Sequence, residues 1–314
     1  RSFANCRKLE RVILSNRTKS VGENAFSKCD SLSSFIIPEE LKDENIGSGM
    51  FSECEGLKGK IVIPSHFNAI PNEMFQRCYN IEEIEFNNHL TKIGDFAFNS
   101  CTNLKQKLEF SNTLVEIGEK AFYNCYQLNG DLILPKSLEK IGASAFENCT
   151  GFKNNLEIPG SLTNVADRAF YGCSNFVKLV LNEGTNRLSS YAFYKCTGFT
   201  GPLNLPSSLH YIHSYVFYNC IGLTGSLNLS CVYGEIGEYA FYKCTKLNGV
   251  LTIGEGISGI KDYAFYQCTG LSGIVDMPIF TRHIGKYAFY SCYNLREVIF
   301  LEKGEIIVIL FPLL

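Results

Sequence analysis

Apolar and polar positions along this chain recur in a fixed order. Short stretches place apolar residues at alternate positions, as in Leu132/Leu134, Leu203/Leu205 and Leu251/Ile253. A period of two is that of a half-buried β-strand. Pro135, Pro159 and Pro206 follow such pairs directly, and proline has no N–H to donate, so strand pairing ends there. A denser cluster comes next, A-F-x-x-C, whose apolar members stand one and three residues apart. That spacing predicts one helical turn. The pattern therefore predicts a strand, a turn, a second extended piece, a helical turn and a return, many times over.

The cysteines give the period. Thirteen of the 14 stand at Cys6, Cys29, Cys54, Cys78, Cys101, Cys125, Cys149, Cys173, Cys196, Cys220, Cys244, Cys268 and Cys292. Successive gaps are 24 residues in eight cases, 23 in three and 25 in one. Each has a phenylalanine three residues earlier, from Phe3 to Phe289, and a Leu, Ile or Phe three residues later, as at Leu104, Ile81 and Phe152. Length differences fall in the return loop or, for the longest unit, in the charged stretch 39–44 beyond its strand. Confinement to loops is required, because a one-residue slip inside a strand would turn its core side chains outward.

A unit of this size cannot bury its own apolar stripe, so neighbouring units must stack. A repeat of about 20–30 residues with aliphatic anchors has the signature of a leucine-rich solenoid. The motif I-G-x-x-A-F-x-x-C-x-x-L, together with L-x-L-P, resembles the BspA-like leucine-rich repeats of bacterial and protist surface proteins. It is carried, for example, by Ile117, Gly118, Ala121, Phe122, Cys125 and Leu128, and again by Ile284, Gly285, Ala288, Phe289, Cys292 and Leu295. Met50 and Met74 replace the Ala, Pro71 and His213 the Gly, and Leu188-Ser189 the Ile-Gly. The resemblance implies an α/β leucine-rich-repeat solenoid, right-handed and curved, of about 13 units of 23–25 residues. A parallel β-sheet would line its concave face and short helical turns its convex face. It also implies a surface-exposed or secreted protein that binds proteins as an adhesin or interaction scaffold, and it supplies no catalytic residues.

The expected organisation is one solenoid domain over residues 1–307, followed by an apolar tail or cap at 308–314. The chain opens at Arg1 within a repeat, which reads as part of a longer chain. Apolar residues make up 46% and charged residues 19%, with a net charge of −2. A near-neutral chain with no basic run lacks the electrostatic footprint of a nucleic-acid binder. The nine apolar residues of the tail are far fewer than the roughly 20 a membrane-spanning helix requires, so no membrane insertion is expected of this segment.

Catalytic and cofactor chemistry finds few candidates. His210-x-x-His213 has metal-like spacing, but a metal site needs three or four converging ligands. No phosphate-binding loop, nucleophile elbow or zinc-protease helix is present, so neither an enzyme nor a cofactor or metal site is expected. Three N-x-S/T sequons occur, at Asn16, Asn148 and Asn228. Thirteen in-register thiols cannot pair completely, and their side chains would point the same way, so the ladder cysteines are expected to be reduced and buried. Cys231, off the ladder, is expected to react fastest.

Two sets of positions are candidates for partner binding. The outward strand row holds Glu85, Glu109, Glu157, Asn204, Asn228, Thr252 and Asp276, preceded by the aliphatic Ile13, Ile36 and Val62. It reads as a mildly acidic strip suited to a basic segment of a partner, or as a solvated sheet face. Twelve of the 17 tyrosines fall at two repeat positions. Tyr191, Tyr215, Tyr239, Tyr263 and Tyr287 stand two residues before the Phe; Tyr123, Tyr171, Tyr194, Tyr218, Tyr242, Tyr266 and Tyr290 stand one after it. At about 100° per residue both positions point away from the core, predicting two parallel columns of rings that either bind a partner or stiffen the array by stacking. A host, matrix or cell-surface protein is the expected partner. A glycan held by the Tyr and Asn/Glu rows is the alternative.

Overall fold

The computed structural model describes residues 1–302 and 305–310. Contacts gather into two units, Arg1–Lys153 and Asn154–Leu314, and each is built in the same way. In the first, strands Arg11–Ile13 and Ser34–Ile36 pair in parallel, as do Gly59–Val62 with Ile81–Glu85 and Leu108–Glu109 with Gly130–Ile133. A second parallel ladder is formed by the two-residue strands Ala69–Ile70, Lys92–Ile93, Glu116–Ile117 and Lys140–Ile141. The second unit repeats the scheme. Leu227–Leu229 pairs with Leu251–Ile253, and Ser272–Met277 with Asn294–Glu302. Its second ladder includes Asn164–Val165, Arg187–Leu188 and Tyr211–Ile212.

Strand alternation carries the core. Leu251 and Ile253 are buried on either side of exposed Thr252. The proline after the strand then accepts the amide of the residue three on, Leu138 to Pro135 and Leu209 to Pro206, both at 3.0 Å. These turns swing a second leucine into the core. Gly142, entering the next segment, stands where a Cβ would collide with the backbone of Glu119 on the preceding rung.

The A-F-x-x-C segment is not a helical turn, and the α/β class expected from it is corrected to an all-β solenoid. Among the described residues the one helical element is the short 3-10 turn Asp43–Asn45. The segment is instead a run of β-turns. In the rung of Phe98, Ala97 bonds back to Gly94, Asn99 to Phe96, Cys101 to Phe98 and Leu104 to Cys101. The intervening amides of Phe96, Phe98 and Ser100 donate to Glu119, Ala121 and Tyr123 on the next rung at 2.7–2.8 Å. An α-helix is about 10 Å across and uses its amides internally, so it cannot stack at the ~4.8 Å step that paired strands impose. Consecutive turns can.

Alternating turns require positive φ at the third residue of every second one. Among the described residues, every non-glycine residue with positive φ, Asn154 excepted, lies two positions before or after the repeat Phe, as Phe96 (57°) and Ser100 (59°) do. The left-handed region costs a residue other than glycine about 1–2 kcal/mol. Here the next rung's hydrogen bonds and stacked side chains offset that cost.

Phenylalanines form the internal ladder. Rings Phe75, Phe98, Phe122 and Phe146 stack with centroids 5.4–5.6 Å apart. Phe193, Phe217, Phe241 and Phe265 do the same at 5.3–5.6 Å. The fourteen cysteines are free, and those of the ladder are buried from Cys29 to Cys292. Cys6 departs from the expectation of a fully buried ladder: it is exposed. At the other end, Glu305–Leu310 runs antiparallel to Asn294–Glu302, with Val308 opposite Ile299, and closes the parallel pairing. The rest of the tail, residues 311–314, lies outside the described residues.

Candidate interaction surfaces

The two tyrosine columns of the second unit form as parallel stacks on the turn segment. Tyr191, Tyr215, Tyr239 and Tyr263 are spaced 4.5–4.7 Å with ring planes within 14° of parallel, and Tyr287 follows at 5.3 Å. Tyr171, Tyr194, Tyr218, Tyr242, Tyr266 and Tyr290 follow one another at 4.5–5.0 Å. Rings of the two columns meet at tilted angles, 5.3 Å apart for Tyr239 and Tyr242. Through the middle of the array each ring is half-buried; Tyr287 and Tyr290, last in their columns, reach 46% and 50% exposure.

Stacking hides ring faces and leaves edges and hydroxyls outward. The columns are therefore neither fully solvent-projected nor internal. The first column has a feature the sequence reading missed: all five of its tyrosines sit at positive φ, from 54° to 63°. Burial, aided by Glu238 and the neighbouring phenols, pushes the Tyr215 hydroxyl up to about 12. Burial and neighbouring phenols also raise Tyr194 and Tyr218. These groups stay protonated hydrogen-bond donors at any physiological pH. Cations fringe the array, with Arg168 5.1 Å from the Tyr191 ring and Lys243 5.4 Å from that of Tyr242. An apolar cavity of about 380 Å³ lies beside the last rings, walled by Met277, Ile284, Phe289 and Val298.

The outward strand row is exposed at Glu85, Glu109, Glu157, Asn204, Asn228, Thr252 and Asp276. Its three glutamates are engaged. Glu85 pairs with Lys60 at 2.7 Å, and Lys60 also reaches Glu83 at 3.2 Å. Glu109 pairs with Lys107, and Glu157 accepts from the Asn182 amide at 2.8 Å. A basic partner segment would have to displace lysines already in place. Asn204, Asn228, Thr252 and Asp276 carry no such ion pair among the described residues. The aliphatic start of the row is exposed as well, Ile13 at 59% and Val62 at 55%.

His210 and His213 do not converge. His210 Nδ1 lies 2.9 Å from the Asn186 side-chain amide, and its ring meets Tyr233 edge-on, while His213 is exposed. Partial desolvation of the ring and the nearby Arg187 lower the His213 pKa. Of the sequon residues, Asn16 and Asn228 are exposed and Asn148 donates to Asn124 at 2.9 Å.

Short parallel strands, closed by turns and stacked on Phe and Cys ladders, define a leucine-rich-repeat β-solenoid that displays side chains in files. The chain belongs to the family of the BspA type leucine rich repeat region, whose model matches six copies over residues 1–129, 129–248 and 225–308. A leucine-rich repeat protein from Bacteroides ovatus is similar in structure, with 31% identity and a TM-score of 0.76, over 95% of this chain and 74% of that one. The pneumococcal vaccine antigen PcpA shares the fold at 19% identity and a TM-score of 0.50, over 92% of this chain and 67% of that one. A leucine rich cell surface protein from Faecalibacterium prausnitzii aligns at 17% identity with a TM-score of 0.45, over 88% and 79%. No curated protein matches the sequence. None of the described helices is long and apolar enough to cross a membrane.

Proposed function

We propose that the chain is a protein-binding repeat module of a cell-surface or secreted protein, acting as an adhesin or interaction scaffold through its paired tyrosine columns. The observation that carries this reading is the continuous aromatic strip from Tyr191 to Tyr290, stacked at 4.5–5.3 Å yet half open to solvent. Contiguous exposed aromatic surface is unusual on a soluble chain, and tyrosine is enriched among residues that dominate binding energy. Rings already ordered by stacking lose little rotamer freedom when a partner docks.

The test is binding to a panel of purified extracellular-matrix glycoproteins by surface interferometry. At least one should bind, and combined Tyr215→Ser, Tyr239→Ser and Tyr263→Ser should weaken it tenfold or more, about 1.4 kcal/mol. Because the rings are half-buried, the serine variant should also melt earlier. The matching Phe variant keeps the stack and serves as the folded control. Absence of binding across the panel, or equal binding by the serine variant while folded, overturns the reading.

A further inference from the structure

We infer that the strand face of the second unit carries a separate site for a neutral polysaccharide. Asn204, Asn228, Thr252 and Asp276 stand at one repeat position on four successive rungs, and all four are exposed. Asn228 pairs in register with Thr252, which sets those two groups at the ~4.8 Å step of a sheet; Asp276 lies on the next strand, Ser272–Met277, and Asn204 holds the equivalent repeat position just after Gly201–Pro202. Their hydrogen-bonding capacity is largely unused. Among the described residues no hydrogen bond within the chain engages the side chains of Asn204, Thr252 or Asp276, and Asn228 uses only its oxygen, accepting from Ser230 at 3.0 Å. Beside this file, two residues before Thr252 and Asp276, Val250 and Ile274 are exposed at 49% and 44%.

The same face of the first unit is chemically different. It is laced with ion pairs, Lys60 to Glu83 and Glu85, Lys105 to Glu82, and Lys107 to Glu109. On the four rungs of the second unit, Asp276 alone of the file is charged.

That difference selects the occupant. A polyanion would find no cation in the file. A protein interface draws its energy mainly from Trp, Tyr and Arg anchors, and the file has none. A sugar chain offers hydroxyls that both donate and accept, matching amide, hydroxyl and carboxylate, and C–H faces that rest on Val250 and Ile274. Several weak contacts to one linear polymer gain strength by multivalency. Three of the four residues lie on strands, whereas the tyrosine columns project from the turn segment, so the site does not depend on the protein-binding reading.

Affinity electrophoresis of the whole chain tests the assignment, in gels containing a soluble β-glucan, a galactomannan or a dextran, with heparin as the charged polymer. Retardation is expected with at least one neutral polymer and not with heparin. Combined Asn204→Ala, Asn228→Ala and Thr252→Val should weaken it at least tenfold without shifting the melting curve, since all three positions are exposed. The Tyr215, Tyr239, Tyr263 serine variant should be retarded like the parent. Free migration in all three neutral polymers overturns the inference. So does retention by heparin, or loss of retardation only in the tyrosine variant, which would move the site to the columns.

Discussion

The thiol of Cys125 donates to the backbone carbonyl of Phe98 on the preceding rung, 3.1 Å away. That carbonyl also accepts the amide of Cys101 on its own rung, at 3.1 Å. A carbonyl oxygen has two lone pairs, and the second would otherwise face the core without a partner. Cysteine fits the slot between Phe and Leu as a small hydrophobe and still brings a weak donor; alanine has no donor. Cys220 to Phe193 and Cys244 to Phe217 repeat the contact at 3.2 Å. The recurring cysteine is thus a rung-to-rung hydrogen bond, with no need of disulfides.

Thiol reactivity should follow from that burial. Burial pushes Cys54 up to about 12 and holds Cys78, Cys101, Cys196 and Cys244 well above the usual thiol range, so the reactive thiolate is scarce at pH 8. Cys231, expected from its off-ladder position to react fastest, is half-buried with its pKa raised by desolvation. Native titration with a chromogenic disulfide should label exposed Cys6 first and Cys231 next, with the rest reacting only in denaturant. Rapid native labelling of Cys101, or of Cys231 ahead of Cys6, contradicts this.

Thr185 stands where other rungs place Leu138, Leu162 or Leu209, and it is fully buried with no hydrogen-bond partner for its hydroxyl. An unsatisfied buried polar group costs about 1–3 kcal/mol. Thr185→Val keeps the shape and removes the hydroxyl, so the denaturant midpoint should rise by the equivalent of about 1 kcal/mol. A lower midpoint would mean that the hydroxyl is satisfied after all, by a bound water for instance.

Much of this architecture is legible in the residues. Alternating Leu251 and Ile253 give the strands, and the Phe and Cys spacing gives the rung, because changes of length are excluded from the stacked core. The turn segment is not legible in the same way. Apolar spacings of one and three suit a helix and a run of β-turns equally, and the hydrogen bonds that decide between them go to residues about 23 positions away, such as Phe98 to Ala121. A signal did exist: Asn24, Gly49, Asn124, Asn148, Gly172 and Asn219 recur two places from the Phe, and Asn and Gly tolerate the left-handed region. Tyr191 and Lys195 occupy the same positions and conceal it. The ion pair of Glu85 with Lys60 depended on strand register, which a single rung does not reveal.

On the second ladder of the first unit, Glu116 sits between Lys92 at 3.3 Å and Lys140 at 2.8 Å. Partial burial alone would raise its pKa, but the hydrogen bond to Lys140 and the two ammonium charges outweigh it and hold the pKa below the usual value. A depressed folded pKa stabilises above the unfolded value, near 4.3, and that contribution is lost as pH falls through the folded one. Because both lysines are largely exposed, the stabilisation is at most about 1 kcal/mol. Glu116→Gln should therefore destabilise slightly at pH 7, and the difference from the parent should close below pH ~4. A gap that widens on acidification has the wrong sign and rules this account out.

Tyr239 sets backbone strain against ring stacking at a single residue. Its φ is 54°, its amide donates to Asp262 at 3.0 Å, and its ring lies 4.7 Å from Tyr215 and 4.6 Å from Tyr263. The left-handed conformation costs about 1–2 kcal/mol, and an aromatic pair contributes about 0.5–1.5 kcal/mol beyond burial. With two stacked neighbours, the ring more than balances the strain. Tyr239→Phe keeps both the φ and the stack and removes only the hydroxyl, so it should be neutral within about 0.5 kcal/mol. Tyr239→Gly removes the strain but also the ring, and should cost about 1 kcal/mol net. Tyr239→Val loses the stack and puts a β-branched residue at positive φ, a true outlier, so it should cost the most. Urea denaturation of the three variants gives the order Phe, Gly, Val from most to least stable. Glycine more stable than the parent would show that the column contributes less than the strain it imposes.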